Sequence, residues 1–218
     1  VMTPTTDPDA ADPTESIDSA VRPAVRKRPK PGERRVQILQ TLASMLEQPG
    51  ADRVTTAALA GKLDVSEAAL YRHFASKAQM FEALIEFIEQ SVFTLVNQIV
   101  DRENVAAVQV QKMLTVLLQF GEKNPGMTRV MVGDALVFEN ERLLARMNQF
   151  FERFESQLRQ SLRGMAEAAG SATPTVDANA QASVLTSFAI GRLQRFARSG
   201  FKRSPTEHLD AALRMLAS

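Results

Sequence analysis

The sequence predicts an all-α protein, a three-helix N-terminal head followed by a larger helical body, about nine helices in all. Apolar residues recur every three or four positions from residue 33 onward, and no stretch alternates convincingly with period two. Most of these runs also open on a capping residue or close on a breaker.

Residues 1–32 stand apart. They hold six of the ten prolines and few apolar side chains, which predicts a disordered tail, because too little surface is available to offset the entropy of ordering. The chain then divides into residues 33–76, the head, and 77–218, the body. Helix one carries Val36, Leu39, Leu42, Ala43 and Leu46 on one face and stops at Pro49 and Gly50. Thr55 or Thr56 caps a second helix with Leu59, Ala60 and Leu63 inward. After a turn at Asp64, Ser66 caps a third helix reaching Phe74, with Val65, Leu70 and Phe74 spaced to pack inward.

Ser76 and Gln79 form a capping-box pattern that opens a long fourth helix from Lys77 to about Val100, striped by Phe81, Leu84, Ile85, Ile88 and Val92. A fifth run over 103–123 breaks at Asn124, Pro125 and Gly126. A short helix over 127–139 precedes a long one over 140–168 with Leu144, Met147, Phe151, Phe154, Leu158 and Leu162. The loop GSATPT separates it from a helix over 177–199, and a last helix follows Pro205.

A net charge of +1 conceals segregation. Asp7, Asp9, Asp12, Glu15 and Asp18 face no Lys or Arg before residue 22. Between 22 and 77 stand Arg22, Arg26, Lys27, Arg28, Lys30, Arg34, Arg35, Arg53, Lys62, Arg72 and Lys77 against Glu33, Glu47, Asp52, Asp64 and Glu67. The rest is balanced. A basic surplus confined to the head is the footprint of a polyanion-binding module on a neutral body. Zero cysteines exclude disulfides and thiolate catalysis. Two histidines make a metal site a poor expectation, and no cofactor motif is present. An N-terminal stretch of acids and prolines does not read as a signal peptide, so a cytoplasmic protein is expected, with no membrane partner.

Two short helices across a tight turn, the second capped by serine, form the helix-turn-helix pattern, whose second helix enters the major groove of double-stranded DNA. LDVSEAALYRHFASK, residues 63–77, carries it. With Leu70 and Phe74 inward, Ser66, Glu67, Ala69, Arg72 and His73 face out, and Ala68 and Ala69 let the helix approach base edges closely. Arg72 suits guanine, Ser66 several bases, and Glu67 the cytosine amino group; an acid in the first helical turn is equally favoured by the helix dipole alone. Tyr71 offers its hydroxyl to the backbone, or is a half-buried ring. His73 suits a phosphate better than catalysis, having no evident acid or nucleophile partner. Lys77 opposes the dipole in the first turn of its helix, a conflict that a phosphate clamped there would remove. Thr55 and Thr56 complete the candidate DNA-binding set.

TTAALAGKLDVSEAALYRHFASKAQMFEAL resembles the DNA-binding signature of TetR-type regulators, above all in LYRHFASK. SEAALYRHFASKAQMFEALIEFIEQS and FGEKNPGMTRVMVGDALVFENERLLARMNQFFERFESQLRQ further resemble the bacterial nucleoid-occlusion factors within that group, a likeness running from about Glu33 to Phe201. The resemblance implies a nucleoid-associated homodimer that binds short palindromic chromosomal sites and, when DNA-bound, antagonises polymers of the tubulin-like division GTPase FtsZ. It also implies an FtsZ-binding groove between the fourth and fifth helices, which by position takes in Phe87, Val116, Lys123 and Asn124. The chain departs from the family pattern at Leu95, where an arginine is expected, at Gln119, where a glycine is, and at Asp64, where glycine is usual. Asp64 is tolerable there because Asp adopts the left-handed conformation.

Palindromic half-sites about 34 to 36 Å apart need two reading heads, so the body is expected to dimerise. The apolar stripe of the helix over 140–168, with Leu185, Phe188, Ala189, Leu193 and Phe196 on the next, is the candidate four-helix dimer interface; the alternative is that both stripes are intramolecular core, and one helix can serve both purposes. The rival reading is a ligand-responsive TetR-type repressor with a pocket lined by Met113, Met131, Met147 and Phe150, although such residues at helical spacing are more often core. A helical enzyme using Asp134, Glu139 or Glu141 is disfavoured, since no nucleophile, phosphate loop or metal constellation accompanies them.

Overall fold

The structure, a computed structural model, describes residues 32–48 and 53–216. The N-terminal tail, with nearly all of its basic arm, and the breaker pair Pro49 and Gly50 lie outside the described residues. Among the described residues there are nine α-helices and no strand.

The head comprises α1 (Glu33–Leu46), α2 (Thr56–Leu63) and α3 (Glu67–Tyr71). α1 buries Leu42 and Leu46 and packs Leu39 and Ala43 against the core as the spacing suggested, with Ile38 joining that face in place of Val36, which is exposed. Asp64 ends α2 in the left-handed conformation at φ 54°, and the Val65 N–H returns to the Ala60 carbonyl at 3.1 Å, closing the helix end. α3 is shorter than expected. The His73 and Phe74 N–H groups both donate to the Leu70 carbonyl, so the chain tightens into a turn after Tyr71 and Phe74 enters the core from a non-helical position.

The body comprises α4 (Lys77–Arg102), α5 (Ala106–Lys123), α6 (Pro125–Met131), a 3-10 turn at Asp134–Leu136, α7 (Glu141–Ala168), α8 (Pro174–Arg198) and α9 (Leu209–Leu216). The expected helix over 127–139 is thus α6 plus the 3-10 turn, divided at Gly133, whose φ of 86° a side chain would resist. α4 is long and apolar enough to cross a bilayer by length and composition alone. Its apolar stripe, Phe81, Leu84, Ile85, Ile88 and Val92 included, is spent on the protein core, with Glu82, Glu86 and Glu89 elsewhere on the helix. α7 and α8 form the most extensive helix pair, α5 packs on both, and α6 joins the body to α1.

One close backbone approach and one buried hydrogen bond fix this arrangement. At Gly121 a Cβ would stand 2.4 Å from the Leu193 side chain, where α5 meets α8. Beside it the buried Thr128 hydroxyl donates to the Gly121 carbonyl at 2.8 Å, tying α6 to α5.

Candidate nucleic-acid interface and partner groove

α2, α3 and α4 each open on a hydroxyl that serves the helix's own backbone. Thr55 Oγ1 accepts from the Ala58 N–H at 3.1 Å, Ser66 Oγ from the Ala69 N–H at 3.3 Å, and Ser76 Oγ from the Gln79 N–H at 3.1 Å. The Gln79 amide oxygen reaches back to accept from the Ala75 N–H at 2.7 Å. Thr56 does something else: its hydroxyl donates to Glu67 Oε2 at 2.6 Å, linking the start of α2 to the first turn of α3. Glu67 is therefore held with one oxygen engaged and the other open.

Beyond Glu67 the face presents small and cationic groups. Ala68 is exposed and Ala69 half-buried, and Tyr71 is 47% exposed. Arg53, Lys62 and Arg72 are exposed, and their side chains have no ion pair or hydrogen bond among the described residues. His73 is half-buried; its carbonyl accepts from Arg35 Nη1 at 2.6 Å while that guanidinium lies 4.0 Å from the Phe74 ring centroid. Arg35 thus anchors α1 to the end of the recognition segment.

Lys77 differs from the expectation of a lysine waiting for phosphate. Its ammonium is ion-paired with the Glu139 carboxylate from the loop before α7, and the two side chains are 20% and 9% exposed. The charge in the first turn of α4 that opposes the helix dipole is already met from within the chain. Glu139 is accordingly an ion-pair partner, Glu141 is exposed, and Asp134 is half-buried. No group of three metal-ligating side chains occurs among the described residues.

A shallow cleft opens between α4 and α5. Phe87, 48% exposed on α4, leans on Phe120 of α5 with ring centroids 6.1 Å apart. Val116 is half-buried beside them, Lys123 is exposed in the last turn of α5, and Asn124 Nδ2 donates to the Phe120 carbonyl at 2.8 Å. Further along, Leu95, Gln98, Ile99, Arg102, Lys112 and Val116 line a groove of about 210 Å³. The Glu103 carboxylate accepts from the Lys112 ammonium at 2.8 Å and from the Val105 N–H at 3.1 Å, and these two donors hold it below its usual pKa. Leu95 makes the groove wall apolar where an arginine was expected. Gln119 lies on another side of α5, lining a cleft with Thr206, His208 and Arg214. Phe120 escaped the sequence reading, although its place four residues after Val116 on the same face was the available signal.

Within one chain most of the candidate dimer stripe is core. Leu185, Ala189 and Leu193 are fully buried and Phe196 nearly so within one chain, against α5, α7 and the loop before α9; Phe188 alone of the five is partly exposed. Met113, Met131, Met147 and Phe150 are likewise buried, and Phe150 packs edge-on against Phe93 at 5.2 Å; they fill core.

Comparison with known proteins follows the same division. Residues 38–84 match the family described as bacterial regulatory proteins, tetR family, and residues 104–218 match the SlmA-like form of the tetracyclin repressor-like C-terminal domain. The chain is 50% identical over 191 residues to nucleoid occlusion factor SlmA of Aliivibrio fischeri strain MJ11, covering 87% of this chain and 97% of that one. This chain belongs to the SlmA family. The SlmA of Vibrio atlanticus strain LGP32 is also 50% identical, over 85% of this chain and 94% of its own. Among solved structures, the TetR family regulator PfmR of Thermus thermophilus superposes with a TM-score of 0.67 at 18% identity, over 83% of this chain and 93% of that one. FadR of Bacillus subtilis, in complex with stearoyl-CoA, gives 0.66 at 12%, over 84% and 97%. These two share the fold, and the SlmA assignment rests on the sequence relatives.

Proposed function

We propose that this SlmA-family chain is a cytoplasmic, nucleoid-associated homodimer that reads palindromic DNA through α3 and, when bound, antagonises FtsZ assembly through the α4–α5 groove. The 50% identity to nucleoid occlusion factors along nearly their whole length carries the reading. The exposed cations Arg53, Lys62 and Arg72 and the capped helix-turn-helix support the DNA half. Thr55, Ser66, Glu67, Ala68, Ala69, Tyr71, Arg72 and His73 form its reading face, with Thr56 setting Glu67 and Lys77 at its margin.

Phe87, Val116 and Lys123 form the partner surface, with Asn124 shaping its end. Its mixture of exposed aromatic and apolar side chains with cations suits an extended apolar peptide carrying acidic residues. Dimerisation uses the outward face of α8, where Val184, Phe188 and Gly191 lie in line. Val184 is 50% exposed, and open space surrounds Gly191.

The test is GTP-dependent pelleting of FtsZ polymers with this protein and no DNA, a scrambled duplex or the palindromic family site. Loss of pelleted polymer with the palindrome alone is the expected result. Unchanged pelleting while the palindrome is bound would leave a TetR-type transcriptional repressor, to be followed by a ligand screen.

A further inference from the structure

Three ion pairs tie α4 to the α7 side of the body: Lys77 with Glu139, Glu82 with Arg142 at 2.7 Å, and Glu89 with Arg146 at 2.6 Å. In the second and third, α4 supplies the acid; in the first it supplies the base. That reversed pair is also the least exposed of the three and stands at the end of α4 nearest the reading head. A lysine in the first helical turn is electrostatically unfavourable unless an anion accompanies it, and Glu139 is that anion.

The segment bearing Glu139 continues toward the partner groove. It begins at Asn124, whose amide closes the end of α5, and runs through α6 and the 3-10 turn. Val130, Met131, Ala135 and Leu136 bury it along this path, and the Glu139 N–H bonds the Leu136 carbonyl at 3.0 Å. Residues 124–139 therefore join the groove at one end to the α4 entry at the other.

We infer that Glu139 is a positioning residue that occupies Lys77 in place of a DNA phosphate, so that DNA binding exchanges the carboxylate for a phosphate and frees the Glu139 end of the 124–139 segment. This rests on the function proposed above and gives it a physical link between its two halves. A ligand shifts such an equilibrium only through different contacts in its two states. The Lys77 ammonium, paired with Glu139 in one state and with phosphate in the other, supplies that difference.

The experiment uses the full chain and compares Glu139→Gln with Glu141→Gln, which removes the same charge from an exposed neighbouring position. Affinity for the palindromic site, thermal unfolding and FtsZ pelleting are measured. Glu139→Gln is expected to tighten DNA binding roughly five- to tenfold, beyond any change from Glu141→Gln, and to antagonise FtsZ at lower DNA occupancy. In a Lys77→Met background the excess is expected to vanish. Should Glu139→Gln unfold, Glu139→Asp retains the charge and is expected to shift affinity in the same direction by less. Equal effects of the two Gln variants, or weaker binding by Glu139→Gln or Glu139→Asp in folded protein, would overturn the inference. If the wild-type chain leaves FtsZ untouched, the partner reading falls, while the affinity comparison still decides the role of Glu139.

Discussion

Gly126 lies so close against Ala43 that a Cβ on it would stand 2.2 Å from the Ala43 carbonyl oxygen. This is backbone against backbone, so no side-chain rotation relieves it. The contact seats α6 on α1, and Arg129 Nη1 lies 3.5 Å from the Leu46 carbonyl at the end of the same helix. Gly126→Ala is therefore expected to force the head away from the body, costing about 1–3 kcal/mol as overpacking does. Thermal unfolding followed by circular dichroism should show a midpoint several degrees lower. An unchanged midpoint would mean that the junction yields freely.

The hydrogen bond from Thr56 to Glu67 makes a separate prediction about specificity. With Thr56→Val the side-chain shape is nearly kept and the donor is lost. Glu67 is then free to rotate away from the bases, and discrimination at the base pair it faces should fall by about 1–3 kcal/mol, while affinity for random DNA changes little. Binding to a panel of single-base operator variants measures this. A uniform loss across the panel would show that Thr56 acts on the fold of the head instead.

Arg72 and Lys77 should separate by salt dependence. Arg72 is exposed without a partner among the described residues, so Arg72→Ala is expected to reduce sequence discrimination with small effect on stability. Lys77→Ala is expected to weaken binding on all sequences and to lower the salt slope by about one. It also leaves the largely buried Glu139 unpaired, so its thermal midpoint should drop where that of Arg72→Ala does not. An unaltered salt slope for Lys77→Ala would remove Lys77 from the phosphate contacts.

What the sequence made legible follows from which forces are local. Caps at Ser66 and Ser76, the turn at Asp64 and the stripe along α4 depend on neighbours within a helical turn or two, and all appear where the pattern places them. The length of α3 does not: the His73 and Phe74 N–H groups both turn in to the Leu70 carbonyl, and Arg35, thirty-eight positions from His73, holds the carbonyl of that turn. Lys77 was readable as a misplaced charge, but its partner is sixty-two residues away and has no local signature. On α8 the periodicity announced a buried face without saying whether the same chain or a second copy buries it. Leu185, Ala189 and Leu193 proved to be covered by their own chain, which moves the search for the dimer contact to Val184 and Phe188.

The outward face of α8 is testable as the dimer contact. Val184→Asp places a charge on the outward face of α8 and none in the core, so the monomer fold should persist while association weakens. Analytical ultracentrifugation should show a shift toward monomer, and palindrome affinity should fall with it because two reading heads are no longer joined. A dimer undiminished by Val184→Asp would place the interface on another face.

Lys123 offers the cleanest separation of the two proposed activities. It is exposed in the last turn of α5, where a cation also favours the helix C-terminus, so reversal of its charge carries a modest local cost. Lys123→Glu is expected to keep operator affinity, since the residue lies outside the three-helix head, and to weaken the effect on FtsZ about tenfold or more if an acidic segment meets it there. The neighbouring Asn124 makes a poorer probe, because its side chain bonds the Phe120 carbonyl and its loss would loosen the end of α5. DNA binding by fluorescence anisotropy and FtsZ pelleting, made on one preparation, give the comparison. Equal loss of both activities would mean that Lys123 supports the fold or the head, and retention of both would move the partner surface off the α4–α5 groove.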